Sequence, residues 1–127
     1  MGYRSDVMAV FYTYDPMEFP AMKLFIDEHM PEWCRDDEHM RVFKRDRNQS
    51  TLQGILFDFR NVKWYESYPD VQGFEQALKK FEKLADEGDK WLWEFVRLGE
   101  NLDDVEERNS YNSEPLLYVS RSIESDI

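Results

Sequence analysis

Residues 6 to 14 carry apolar side chains at odd and even positions alike: Val7, Met8, Ala9, Val10, Phe11, Tyr12 and Tyr14. A strand with one wet face alternates, so this run predicts a strand buried on both faces, central in a sheet. Asp15, Pro16 and Glu18 then supply a cap, a first-turn proline and an acid three residues on. Pro20 moves the expected helix start towards Phe19. Met22, Phe25, Ile26, His29, Met30 and Trp33 recur at spacings of three and four, which predicts a helix ending near Met30 and Pro31.

Met40 to Arg45 reads as a short charged strand, and Asp46 to Ser50 as a polar turn. Thr51 to Arg60 reads as a strand with Ile55, Phe57 and Phe59 on one face. Ser67, ahead of Pro69, is a candidate second cap. Phe74, Ala77, Leu78, Phe81, Leu84 and Ala85 form the clearest helical stripe, stopped by Glu87, Gly88 and Asp89. From Trp91 to Leu98 the pattern alternates, with Trp91, Trp93 and Phe95 against Leu92, Val96 and Leu98. An acidic connection follows, and Pro115 opens a last strand, Leu116 to Ile123. The order is that of an α+β, ferredoxin-like βαββαβ sandwich with an additional C-terminal strand. Right-handed crossovers put the first and third strands side by side at its centre, with two helices on one face.

The chain has 127 residues, 42% of them apolar and 16% aromatic. That supply builds one core without a disulfide or a metal, so residues 1–127 read as a single domain with no cofactor. The net charge of −11 argues against nucleic acid or an anionic membrane as a direct partner. Cys34 is the one cysteine, which fits a reducing cytoplasm. No run reaches the roughly 20 apolar residues of a membrane span, and no secretory h-region follows the start. Asp6 stands where a myristoylation motif has Ser or Thr.

Four phrases go further. They are Met1 to Val7 (MGYRSDV), Val62 to Val71 (VKWYESYPDV), Glu94 to Glu100 with Asp103 to Glu107 (EFVRLGE and DDVEE), and Leu117 to Ile123 (LYVSRSI). Together they resemble a group of small proteins encoded mainly by tailed bacteriophages. The phrases cover about a third of the chain, from end to end. The resemblance implies a setting, a phage product in a bacterial cytoplasm. It implies no reaction and transfers no catalytic residue.

Two segments are candidates for contact with a partner. Glu100, Asp103, Asp104, Glu106 and Glu107 place five acids in eight residues. Residues 64–127 hold 16 acids against 7 bases, and residues 1–63 hold 11 against 9. A dense carboxylate surface fits a basic cleft and imitates a phosphate backbone. Alternatively the acids form a solvated loop, or pair with Arg4, Arg45 and Arg47, which the expected topology brings to the same end of the sheet. Trp64, Tyr65 and Tyr68 lie between a strand and a helix, and such rings anchor interfaces at low entropy cost. The expected topology adds Trp91 and the start of the first helix to that end. The competing reading has Trp64 and Tyr65 plugging the core.

Other constellations are weaker. His29, Cys34 and His39 offer zinc-type donors, but without the usual spacing, and Asp36 or Asp37 would have to be the fourth ligand. Cys34 and His39 as a nucleophile pair lack any oxyanion-forming turn. Asp103, Asp104, Glu106 and Glu107 are hard oxygen donors, yet their spacing is not that of an EF-hand. Gln53 to Phe59, with Val10, Phe11 and Tyr12, loosely resembles RNA-recognition strand signatures, which need exposed rings. No phosphate-binding loop or hydrolase motif is present.

The sequence therefore predicts a non-enzymatic acidic phage protein that binds a host bacterial protein, of the class of a defence effector, nuclease or polymerase, and blocks or redirects it by occlusion, with imitation of nucleic acid as one mode. Two other classes compete. One is a small-molecule binder that sequesters a nucleotide signal, using Arg4 or Arg121 around an aromatic pocket. The other is a self-assembling component, such as a homodimer, pairing through Leu116 to Ile123 or Met40 to Arg45.

Overall fold

The computed structural model describes residues 2–88, 90–101, 103–110, 115–119 and 123–125. β1 (Ser5–Thr13) lies at the middle of a five-stranded antiparallel sheet. Its neighbours are β3 (Ser50–Val62) and β4 (Leu92–Gly99). β2 (Met40–Arg47) forms one edge beside β3, and β5 (Val105–Asn109) the other beside β4. The two-sided apolar pattern of the first strand thus has its expected cause: Val7 to Tyr12 are all buried.

α1 (Phe19–His29) and α2 (Pro69–Gly88) cover one face. Met22, Ile26, Phe74, Ala77, Leu78 and Phe81 pack there on Phe11, Phe57, Phe59, Trp93 and Phe95. α1 starts at Phe19, as Pro20 requires. Asp15 caps the turn before it rather than the helix: its Oδ1 accepts the Met17 amide at 2.9 Å. The expected stop after α2 includes Asp89, which lies outside the described residues.

The other face is covered too. The expected single last strand is instead two short ones, β6 (Leu117–Val119) and β7 (Ile123–Ser125), paired with each other in a separate sheet. Leu116, Leu117 and Ile123 pack on Met8, Val10, Leu56, Val96 and Leu98. One apolar run does not reveal a reversal within it.

The hairpin between β2 and β3 closes through Asn48 and Gln49, with φ of 52° and 68°. Two successive left-handed residues make the primed turn that matches strand twist. Within β3, Gly54 lies opposite Phe43 and Tyr12. A Cβ there would meet the Phe11 carbonyl and the Phe43 ring, so glycine is required for ring and backbone to pass. Phe11, Tyr12, Phe57 and Phe59 are fully buried. No ring of the RNA-recognition-like phrases is placed to stack a base.

The register corrects one topological expectation. β1 begins beside the ends of β3 and β4, through Ser5 with Val62 and Gly99. It finishes beside the β2–β3 turn and the start of β4, through Thr13 with Gln53 and Tyr12 with Leu92. Arg45, Arg47 and Trp91 are therefore at the opposite end from the 100–107 acids and Trp64. In an antiparallel sheet each strand reverses direction, so the end of β4 lies with the end of β3 and the β2–β3 turn lies with the start of β4. Trp91 packs instead on Phe81 and Phe25.

Candidate functional site

The acidic segment is not a free connection. The Gly99 amide donates to the Asp104 carbonyl at 2.8 Å, and β5 then returns along β4. Val105 to Asn109 contains one apolar residue, so no hydrophobic alternation marks it as a strand. It does carry opposite charges two residues apart, Glu106 and Arg108. Glu106 and Arg108 point to the helix-covered face, because Arg108 lies 4.2 Å over the Phe95 ring. Glu107 opposes Val96 and lies on the hairpin face.

Glu106 and Arg108 join an ionic lattice across β4, β5 and α2. The Arg97 guanidinium donates to both Asp104 carboxylate oxygens, at 2.7 and 3.1 Å, and to Glu106 at 3.2 Å. Arg108 donates to both oxygens of Glu75 on α2, at 2.6 and 3.0 Å. Its Nε lies 3.0 Å from the second Glu106 oxygen. The fork geometry of arginine suits such two-point pairing. Beside Arg97, and donated to by Tyr3, the Asp104 carboxyl is held down at about 2.

Tyr3 links this lattice to the aromatic segment. Its hydroxyl donates to Asp104 at 2.7 Å, and its amide donates to the Tyr65 hydroxyl at 2.6 Å. Gly99 lies under this junction, where a Cβ would collide with the Tyr3 hydroxyl and the Asp104 carboxylate. The result is a cleft of about 730 Å³, lined by Tyr3, Trp64, Tyr65, Glu75, Arg97, Asp104, Glu106 and Arg108 among others. Trp64 and Tyr65 thus meet Asp104 and Glu106 in one place, although some forty residues separate them in the chain.

The eight predicted contact residues divide by role. Trp64 stacks on Phe59 and meets Phe74 and Phe95 edge-on or tilted, so it closes the end of the core. Tyr65 is tied to Tyr3, and Tyr68 packs edge-on to Tyr65 while staying 39% exposed. Glu100 accepts the Arg4 amide at 2.8 Å. Asp104 and Glu106 are bound in the lattice. Asp103 and Glu107 are exposed, and their carboxylates have no polar partner among the described residues. Of the expected cationic partners only Arg4 is at this end, and it contributes its amide. Arg97 and Arg108 fill that role; the sequence signal for Arg108 is the opposite charge of Glu106 two residues before it, and Arg97, a lone base in an apolar strand, gives none.

Two further polar features lie elsewhere. Glu94 is buried on the hairpin face. Its carboxylate accepts the Leu116 amide at 2.9 and 3.0 Å, the Leu117 amide at 3.0 Å and the Tyr12 hydroxyl at 3.0 Å. Burial raises its pKa despite those donors. The zinc-type donors do not converge. Cys34 is buried, its Sγ donates to the Pro31 carbonyl, and burial pushes its thiol up to about 12. His39 bonds Asp36 at 2.7 Å, and His29 packs on Phe25. Asp36, Glu38 and His39 do bring one ligand atom each within 4.8 Å of one another, on an exposed turn. Arg121, offered for a small-molecule pocket, lies outside the described residues.

Neither a protein-family model, nor a curated protein, nor a solved structure matches this chain. Among the described residues no helix is long and apolar enough to cross a membrane. The geometry of the cleft is therefore the ground for any functional reading. Each lattice carboxylate is engaged by arginine, and each guanidinium by carboxylate, so the cleft carries paired charge on a rigid aromatic frame.

Proposed function

We propose that this chain is a non-enzymatic binding protein of ferredoxin-like form that occludes a basic surface of a host bacterial protein. The strand order β2-β3-β1-β4, with both helices on one face, supports the ferredoxin-like reading. The observation that carries the functional reading is the convergence of aromatic and acidic residues at one end of the sheet. There Tyr68 offers an exposed ring beside Tyr65 and Asp103 an exposed carboxylate, while Glu107 carries a second one on the hairpin face of the same edge; neither carboxylate has a polar partner among the described residues. The ionic lattice behind them holds these groups in place before a partner arrives, which lowers the ordering cost of binding. Pairing of Asp104 and Glu106 with arginine leaves too few free carboxylates for an imitation of a phosphate backbone, so occlusion is favoured over mimicry. The resemblance to tailed-phage proteins supports the bacterial cytoplasm as the setting.

The test is affinity capture from bacterial lysate at low and high salt, with the intact chain and two variants. A specific protein that the intact chain retains at low salt should be lost with Tyr68→Ala and with Asp103→Lys/Glu107→Lys, and should elute as salt rises. Retention unchanged by both variants would refute the assignment of this surface.

A further inference from the structure

The cleft beside Tyr65 holds more negative charge than its ionic lattice neutralises. Four acidic residues line it, Glu66, Glu75, Asp104 and Glu106, against two bases, Arg97 and Arg108. Both guanidiniums are engaged. Arg97 donates to Asp104, Glu106 and the Ser5 hydroxyl, and Arg108 closes a two-point pair with Glu75. The carboxylates have capacity left, since each accepts several hydrogen bonds. Glu66 is exposed, and its carboxylate has no polar partner among the described residues. An anionic ligand therefore meets no unengaged guanidinium here, whereas a cation meets surplus carboxylate.

The rest of the lining fits the same kind of ligand. Tyr3, Trp64 and Tyr65 line the cleft and are half-buried. An arginine head is planar and weakly hydrated, lies against aromatic rings and forks onto carboxylates, while a lysine ammonium is a compact, strongly hydrated charge. The wall of the cleft already holds one arginine in this way. Arg108 lies 4.2 Å over the Phe95 ring while its terminal nitrogens donate to both oxygens of Glu75. The volume of about 730 Å³ admits a side chain together with the backbone that carries it. We propose that this cleft takes the guanidinium of an arginine presented by a partner, with Trp64 and Tyr65 as its apolar walls and Glu66 as the carboxylate that pairs it. The proposal rests on the reading of this end of the sheet as the contact surface, and names the side chain that enters it. Tyr68, Asp103 and Glu107 are not among the lining residues, so the two parts of the surface can be tested separately.

The test is an NMR titration of the isotope-labelled intact chain with N-acetyl-arginine methylamide. N-acetyl-citrulline methylamide, which has the same shape without the charge, is the matched probe. The arginine probe should give saturable shifts at the Trp64 indole N–H and at the Tyr3, Tyr65 and Glu66 amides, weakening as salt rises. The citrulline probe should bind at least about fivefold more weakly. Glu66→Gln should weaken the arginine probe about three- to fivefold. Glu87→Gln, which removes the same charge from the far end of α2, should leave it unchanged. Both side chains are exposed, so neither variant touches the core. No saturable shift in the millimolar range would overturn the proposal. So would equal binding of the two probes, or a Glu66 variant that behaves like the Glu87 one. Host capture that depends on Tyr68, Asp103 and Glu107 without any probe binding overturns the arginine site alone. Probe binding beside capture indifferent to those residues upholds the site and removes the occlusion surface.

Discussion

The two faces of the sheet are covered in different ways. On the helix face, α1 and α2 lay a broad apolar surface over a ring cluster. Phe74 alone meets Phe57, Phe59, Trp64 and Phe95. On the hairpin face, two three-residue strands cover mostly aliphatic side chains. That cover is held by direction as well: one buried carboxylate, Glu94, accepts the Leu116 and Leu117 amides and a tyrosine hydroxyl. Area does not specify where a cover sits, whereas hydrogen bonds to a buried acceptor do. A helix with a full stripe thus holds its place by packing, and a short hairpin needs a polar clamp.

The largest effect should come from the ring cluster. Phe74→Ala removes a fully buried ring from the centre of four others and should cost about 3–5 kcal/mol, read by urea unfolding. A loss near 1 kcal/mol would mean that the cluster closes around the gap.

The clamp should rank next. Glu94→Ala leaves the Leu116 and Leu117 amides and the Tyr12 hydroxyl without their acceptor, at about 1–3 kcal/mol for a buried unsatisfied group. Amide exchange should quicken at Leu116 and Leu117 well before it does in β1, and equal quickening throughout would contradict a local clamp. The sign with pH follows from burial. The folded pKa of Glu94 is raised, so its contribution is fully present below the ordinary carboxyl value and is lost as pH rises through the folded one. Glu94→Gln should flatten that limb of the stability curve.

Asp104 should behave in the opposite sense and more weakly. Its carboxyl is held near 2, so its contribution is present above the ordinary value and is lost as pH falls from about 4 towards 2. Asp104→Asn should cost on the order of 1 kcal/mol, because the site is partly wet, and should remove that acid limb. Smallest of all in stability is Cys34. Buried, and with its thiol pushed up to about 12, it should react with a disulfide reagent only as the chain unfolds. Rapid reaction in the native state would show that the turn around Glu32 to Cys34 opens on its own.

Much of the architecture could be read in the chain because it depends on local pattern. The two-sided apolar run of β1, the stripe of α2 and the alternation of Trp91 to Leu98 each encode an element through its own periodicity. Pro20 set the start of α1, and the polar stretch from Asp46 to Ser50 marked the turn. β5 escaped because an edge strand facing water on one side and an ionic lattice on the other has no apolar period. The reversal between β6 and β7 escaped because both halves are apolar. Glu94 escaped because a carboxylate inside an apolar strand gives no sign of the amides that will reach it.

The candidate site divides along the same line. The aromatic and acidic composition of the two segments belongs to the sequence, and so does their candidacy as binding surface. Tertiary structure alone decided which carboxylates are engaged, since Arg97, Arg108, Tyr3 and Glu75 come from four different parts of the chain. It also decided that Asp103 and Glu107 have no polar partner among the described residues, and that Arg45 and Arg47 lie at the other end of the sheet from them. Periodicity is a property of neighbours in sequence and can be read there. Charge pairing depends on which strands lie side by side and in which register, and the fold as a whole sets both.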